Sequence, residues 1–409
     1  MRALVFDLKT MRLLAAKVLG PLSDWFTLGP LAPTRLVDLP EPTLPNAHWA
    51  KLEVIACGVC GADVATITMR RRAASFLTAF GSFPMGLGHE VVARVVETGG
   101  AVTRVKPGDR VVVEPFLPCV TRGIEPVCRN CADGNYTACW HLADGGDIGH
   151  GANIGNNSFT GGGFGERLVA HEMSCTPVPD ALSDDAAVLI EPFGCALHAV
   201  GRRLPADDET VLVIGGGTMG LCAVLAMRAL GSKAKVIVAV RHPFQAELAR
   251  KVGADVVLRA SGVALVEAVS AETGARVYRA KYGGGRVLRG GVDVVIDTVG
   301  RAGTLTDAAA VARGRGTVIL LGMGEALGFD PTAVWFKELT VVGSMGHGME
   351  THAGERLNAF DLALRLAVER KLDLGGLVTH RFALADWPDA VRTLLRRRHT
   401  HAVKVVLRP

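Results

Sequence analysis

A chain of 409 residues, 49% hydrophobic and 21% charged, can bury more than one core, and its length favours two domains over one. The net charge of +5 is modest, and Lys and Arg are scattered apart from Arg70-Arg71-Arg72 and Arg396-Arg397-Arg398. With only three Tyr and no nucleic-acid module, a nucleic-acid partner is excluded from expectation. The N-terminal apolar run has the look of a signal peptide, but Asp7 and Lys17 interrupt it and no small-residue cleavage site follows. Val211 to Met227, the longest weakly charged stretch, contains Gly215-Gly216-Gly217 and reads as strand, turn and helix rather than a membrane span. A cytoplasmic protein without a membrane partner is therefore expected. In that compartment the nine cysteines read as metal ligands or buried thiols rather than disulfides.

In chain order, the first half offers short β-branched runs broken by Pro and Gly: Lys51–Ala56, Glu90–Glu97 and Arg110–Val113. The turn Lys106-Pro107-Gly108-Asp109 separates the last two, and this texture suggests a compact β-barrel-like domain. From about Thr210 strands alternate with helices. The strands are Val211–Ile214, Lys235–Val240, Val292–Ile296, Thr317–Leu321 and Leu339–Val342; the helices are Met219–Leu230 and Pro243–Val252. Such alternation predicts a parallel doubly wound sheet. Ser261 to Arg289 reads as a helix followed by an exposed excursion, Arg356–Val368 as an amphipathic helix, and Val403–Leu407 as a final strand.

Val211-Leu212-Val213-Ile214 runs into Gly215-Gly216-Gly217-Thr218-Met219-Gly220, a G-x-G-x-x-G between a strand and a helix. The glycines suit a tight turn, close approach to a pyrophosphate, and close helix–strand packing, while the helix N-terminus offers N–H groups to phosphate. Where an acid for the ribose 2′-hydroxyl would stand, after the second strand, this chain has Arg241-His242. A guanidinium binds a 2′-phosphate that a carboxylate would repel, so NADP(H) is expected over NAD(H).

Cys119, Cys128, Cys131 and Cys139 place four thiols in one short stretch. Four thiolates close a tetrahedral zinc site and leave no position for substrate, which makes the expected site structural. His141 is an alternative to Cys119 as fourth ligand. A second set is dispersed: Cys60 in Cys57-Gly58-Val59-Cys60-Gly61-Ala62-Asp63, His89-Glu90, and Glu191 before Pro192-Phe193. One thiolate, one imidazole and one carboxylate leave the open position that a catalytic zinc needs, but spacing alone does not join them.

Taken together, these motifs, with Lys106-Pro107-Gly108-Asp109-Arg110-Val111 and Lys337-Glu338-Leu339-Thr340-Val341-Val342-Gly343-Ser344, resemble the zinc-containing medium-chain dehydrogenase/reductase family, especially its threonine and polyol dehydrogenase branch. The resemblance implies a GroES-like catalytic domain with an inserted Rossmann doubly wound parallel sheet, and an active-site cleft between them. The implied boundaries are 1–199 with a zinc lobe at about 115–141, 200–344, and a C-terminal return at 345–409. It implies catalytic zinc held by Cys60, His89 and Glu191, with Glu90 a carboxylate able to approach the metal. It also implies a cofactor edge at Thr298, Val299, Leu321 and Gly322, and a homodimer or homotetramer. Cys57 matches no ligand position.

Three departures stand out. Ala62 and Ala65 replace the Ser or Thr and the His of the usual proton relay, leaving Thr66 or water as substitutes. Eight residues, Val120 to Val127, separate the first two lobe cysteines instead of two. Thr10 to Pro33 reads as an insertion within the first strand pair, with Trp25-Phe26 over a cleft or interface. In the loop between the first two zinc residues, Arg70-Arg71-Arg72, Phe76, Phe80 and Phe83 read as a solvated basic turn over core aromatics; if they border the substrate entrance, they favour an anionic substrate. His347 and Met349 are candidates for the pocket wall. The leading expectation is hydride transfer between NADP(H) and a small alcohol or carbonyl. One alternative is a relay-less reductase of polarised C=C or C=N bonds, and another is a nucleotide-binding protein without turnover.

Overall fold

The computed structural model describes residues 1–70, 75–324 and 328–409. It divides into two units, Met1–Glu191 with Phe360–Pro409, and Pro192–Ala359. The sequence-based boundaries at 199/200 and 344/345 thus stand beside contact boundaries at 191/192 and 359/360, with segment 345–359 in the second unit.

The first unit begins with β1 (Arg2–Phe6), α1 (Thr10–Leu19), α2 (Trp25–Leu28) and β2 (Thr34–Asp38). β1 and β2 pair antiparallel, so the inserted helices sit within a strand pair, and Arg12 anchors α1 by donating to the carbonyls of Pro30 and Ala32. Next come β3 (Trp49–Gly58), α3 (Gly61–Ile67), β4 (Met85–Gly86), β5 (Glu90–Thr98) and β6 (Arg110–Val113). α4 (Arg129–Ala132), β7 (Arg167–His171), β8 (Cys175–Pro177) and α5 (Asp184–Val188) follow, and α6 (Ile190–Gly201) leads out of the unit. β-branched residues on β3 and β5 bury one closed core with Trp49, Leu52, Phe164 and Leu168.

In the second unit, β9 (Thr210–Ile214), α7 (Thr218–Ala229), β10 (Lys235–Ala239), α8 (Pro243–Lys251), β11 (Val256–Leu258) and α9 (Val263–Thr273) alternate as expected. β12 (Arg276–Arg279) and β13 (Arg286–Arg289) then form an antiparallel hairpin, so the exposed excursion after α9 is paired structure. β14 (Val292–Asp297), α10 (Ala302–Val311), β15 (Ala312–Leu320), α11 (Thr332–Phe336) and β16 (Thr340–Gly343) complete a parallel sheet. Its order is β11-β10-β9-β14-β15-β16 among the described residues. β9, β10 and β14 are buried almost end to end, as strands covered on both faces must be.

A hairpin of β17 (Met349–His352) and β18 (Glu355–Asn358) precedes α12 (Ala359–Glu369), so the helix expected from Arg356 starts later. Back in the first unit, β19 (Val378–Ala383), α13 (Trp387–Leu395), α14 (Arg397–Thr400) and β20 (Lys404–Arg408) follow. β20 docks on β3, giving the order β19-β20-β3-β5-β6-β8, with β7 also on β3. Among the described residues no helix is long and apolar enough to cross a membrane.

Candidate active site and metal centres

Sheet register joins what sequence spacing left apart. Gly58, at the end of β3, lies opposite Glu90, at the start of β5, and Val406 of β20 lies opposite Gly58. The residues just beyond those strand ends therefore meet. Donor atoms of Cys60, His89 and Glu90 all lie within 4.8 Å of one another. Asp63, 4% exposed in the first turn of α3, accepts the Cys60 backbone N–H at 2.9 Å and stands 3.7 Å from His89 Nδ1. It thus orders the thiol and the imidazole together.

Both Glu90 oxygens accept from Lys404 Nζ, at 2.6 and 2.5 Å, and both side chains are almost completely buried. Only glycine fits at position 58, because a Cβ there would lie 1.9 Å from Glu90 Oε2. Burial opposes the charge on Lys404, yet Glu90, Cys60 and Glu191 hold its pKa above the ordinary value. For His89 burial works the same way, and Asp63, Cys60 and Glu191 raise its pKa well above that of free imidazole. Glu191 is buried, and its charge is felt by both groups, but it stands outside the three-donor cluster. Sulfur, nitrogen and carboxylate donors, with Lys404 as the cation paired to Glu90, form a set that zinc fits, with ligand count and softness as for an open site.

Cys119, Cys128, Cys131 and Cys139 form a second cluster with all four sulfurs within 4.8 Å. The Cys119–Cys139 and Cys128–Cys139 sulfur separations are 3.5 and 3.9 Å. Tetrahedral zinc with bonds of about 2.3 Å needs sulfurs about 3.8 Å apart, so the four thiols fit it. Backbone N–H groups of Cys128, Trp140 and His141 donate to the sulfurs of Cys119, Cys128 and Cys139. Although burial disfavours its thiolate, donors including the Trp140 and Cys131 N–H groups bring the Cys128 pKa down to about 6. His141 is instead turned towards Asp144 at 3.8 Å and is not in the cluster. The long spacer after Cys119 has its own physical reason. It carries Arg122, 0% exposed, whose guanidinium donates to the carbonyls of Leu117, Leu142, Asp144, Gly145, Gly149 and Gly151.

In the second unit Gly215 has φ +114° and its Cα side faces Thr298, where a Cβ would come within 2.5 Å of Oγ1. A Cβ on Gly220 would fall 1.8 Å from the Gly215 carbonyl, so α7 can approach β9 only with glycine there. Gly217 is the residue before α7, which opens with Thr218 and Met219. Thr298 Oγ1 donates to the Ile214 carbonyl at 2.8 Å, and Leu321 and Gly322 N–H groups donate to the Asp297 carbonyl. The expected cofactor edge is thus gathered around the glycine turn. Gln245 Oε1 accepts from the N–H groups of Arg241 and His242, which fixes the turn after β10 and leaves Arg241 exposed.

Other candidates fall differently. Thr66 Oγ1 donates to the Ala62 carbonyl of its own helix at 3.1 Å, so its proton is already engaged. Phe83 packs on Phe6 with ring centroids 6.2 Å apart, Phe80 is half exposed and Arg70 exposed. Arg71, Arg72 and the Phe76 side chain lie outside the described residues. Cys57 is fully buried on β3, where burial pushes its thiol well up. His347 is buried, Met349 half-buried, and Trp25, 47% exposed, meets Phe26 edge-on at 5.4 Å. Lys404, Asp63, Arg122 and Gln245 were not singled out from sequence. For Lys404 a signal existed, a lysine inside the apolar run Ala402 to Leu407.

Against known families, the alcohol dehydrogenase GroES-like domain matches residues 46–180 and the zinc-binding dehydrogenase domain residues 218–362. L-threonine 3-dehydrogenase of Saccharopolyspora erythraea is 30% identical over 88% of this chain and 91% of its own. Among solved structures, a zinc-binding dehydrogenase from Sinorhizobium meliloti 1021, bound to NADP, is 27% identical with a TM-score of 0.69, covering 92% of this chain and 95% of its own. An alcohol dehydrogenase from Escherichia coli CFT073, complexed with NADH, is 26% identical with a TM-score of 0.69, covering 92% and 96%. The chain belongs to the zinc-containing medium-chain dehydrogenase/reductase family, in its threonine and polyol dehydrogenase branch. It is an oxidoreductase of the alcohol dehydrogenase type that uses zinc and a nicotinamide cofactor on a small molecule.

Proposed function

We propose that this enzyme transfers hydride between NADP(H) and a small secondary alcohol or its carbonyl, with Cys60, His89 and Glu191 as catalytic zinc ligands and the four lobe cysteines holding a structural zinc. The observation that carries this reading is the convergence of Cys60, His89 and Glu90 at the β3–β5 register. When bound, zinc supplies Lewis acidity towards the substrate oxygen, and the nicotinamide exchanges the hydride. The chain's own part is positioning. Asp63 orients His89 and the Cys60 turn. Lys404 holds the Glu90 carboxylate beside the donor set, close enough to exchange at the metal.

Preference for NADP(H) rests on Arg241, an exposed guanidinium at the end of β10 where a carboxylate would select a free ribose hydroxyl. The branch, and the threonine dehydrogenase likeness, favour a substrate whose reacting hydroxyl has a polar neighbour. A homodimer or homotetramer belongs to the same reading.

A second reading is favoured by one observation. Positions 62 and 65 are alanine, and the Thr66 hydroxyl is spent on its helix, so none of these three offers a free hydroxyl or imidazole to pass on the substrate proton. Water must then serve, which equally suits reduction of a polarised C=C or C=N bond. Nicotinamide absorbance followed over polyols, β-hydroxy amino acids, ketones, enals and imines, with both cofactors, separates the two. Alcohol oxidation with NADP supports the first; turnover confined to enals or imines replaces it with the second. Cys60→Ser and His89→Ala should abolish turnover while leaving cofactor binding intact, and full activity in either overturns the zinc assignment.

A further inference from the structure

The hairpin β12–β13 opposes like charges. In its register Arg276 faces Arg289 and Arg279 faces Arg286. Cations directly opposite on a two-stranded ladder repel. Glu267 of α9 relieves one pair, lying 3.2 Å from Arg279 and in contact with Arg286. The other pair has no carboxylate partner among the described residues. Arg276 lies over the Tyr278 ring at 5.2 Å, and Arg289 over the Phe336 ring at 5.8 Å. An aromatic face orients a guanidinium without supplying a full countercharge.

Arg289 also walls a cavity of about 330 Å³, together with Arg315, Phe336, Lys337 and Glu338. Lys337 is 3% exposed, and its ammonium donates to the carbonyls of Ala309, Ala310 and Ala312 at 3.0, 2.8 and 2.6 Å. Its donors are spent at the end of α10, but its charge stays in the wall. Burial, aided by Arg289, lowers its pKa to about 8. Arg315 and Glu338 hold φ of 60° and 52°, left-handed values that side-chain-bearing residues rarely take and that gather at ligand sites. The one carboxylate lining the cavity is Glu338, 3.6 Å from Arg315, with both side chains at least 75% exposed. A pair in that much water is held weakly and exchanges readily.

We propose that this cavity binds a phosphate or carboxylate group of a small metabolite through Arg289 and Arg315, with Glu338 as the internal occupant that the ligand displaces. Two guanidinium forks match either oxyanion in geometry. The site is separate from the dinucleotide turn. Arg315 stands near the start of β15, whereas Leu321 and Gly322 lie past its end, and the strand between spans about 17 Å at about 3.3 Å per residue.

The test is calorimetric titration of the enzyme, saturated with its nicotinamide cofactor so that the glycine turn is filled, with inorganic phosphate, citrate and glycerol. Saturable binding is expected for at least one anion and none for glycerol, and the tighter anion identifies the class. Arg289→Ala and Arg315→Ala should each weaken binding tenfold or more. Glu338→Gln should tighten it threefold or more, a gain that misfolding does not produce. Absence of saturable binding, binding unchanged in Arg289→Ala, or loss of binding in proportion to cofactor occupancy overturns the proposal.

Discussion

Glu90 is accommodated at 2% exposure by Lys404, which supplies both of its oxygens with hydrogen bonds. A buried pair of this kind adds little over a well-packed apolar pair, but removing one partner strands the other. Lys404→Met should therefore destabilise the chain by about 3 kcal/mol or more, read from denaturant unfolding. Adding Glu90→Leu to that variant should recover part of the loss, since no charge is left unpaired. A further loss in the double variant would show that the pair is not what matters at this position. The same logic applies to Arg122, on which six carbonyls depend. Arg122→Ala leaves the carbonyls of the buried residues Leu117 and Gly151 without this donor, each worth about 1 kcal/mol or more, and frees the other four, which belong to exposed or half-buried residues. The lobe should then loosen, and zinc content should fall by one per chain while turnover at the other site persists. Loss of both zincs together would mean that the lobe does not unfold on its own.

Among elements, five of the six strands of the parallel sheet were legible as short apolar runs, whereas β11, three half-buried residues, was not. β9 and β10 fall within a residue of expectation for that reason. The β12–β13 hairpin was not legible. Its strands, R-V-Y-R and R-V-L-R, begin and end with arginine and are too short to show an apolar period, so only pairing with each other and packing on α9 and α10 make them strands. The candidate active site was legible residue by residue only through family likeness. What joins Cys60 to His89 is the register Gly58↔Glu90, a long-range property that local spacing does not encode. Lys404 was hidden for the same reason, because its partner lies over three hundred positions away.

The end of β7 carries a pH response of its own. Burial lowers the His171 pKa to about 4, so the unfolded chain binds its proton more readily and stability falls as pH drops from about 6.5 towards 4. Glu172 is 16% exposed, and although burial opposes its charge, the N–H groups of Thr103 and Arg104 and the His48 ring bring its pKa to about 2. Its contribution is present above about pH 4.5 and is lost as pH falls through 2. Glu172→Gln should flatten the lower window and, because the Glu172 charge holds the His171 pKa up, deepen the upper one, as followed by the urea midpoint against pH. An unchanged profile below pH 4.5 would remove Glu172 from the account.

At the scale of the molecule, the six-stranded sheet ends on β16, whose far side pairs with no strand among the described residues. Val341 on that edge is 46% exposed, and Trp335 and Met345 beside it in sequence are 78% and 50% exposed. A free edge with apolar side chains is a hazard in a monomer, since it templates pairing with another chain. Two copies related by a two-fold axis can resolve it by pairing β16 with β16 antiparallel, which closes the contact and continues the sheet. The oligomer proposed for this enzyme would then be built on the second unit. Val341→Lys puts two like charges against each other across that axis and should convert the assembly to monomers, read as a halved or quartered mass by light scattering. Zinc content should be unaffected, because every thiol of the lobe and both residues Cys60 and His89 belong to the first unit. A mass unchanged by Val341→Lys and by Trp335→Glu would move the interface elsewhere, and the exposed stripe of Met11, Leu14 and Val18 on α1 would be the next surface to charge.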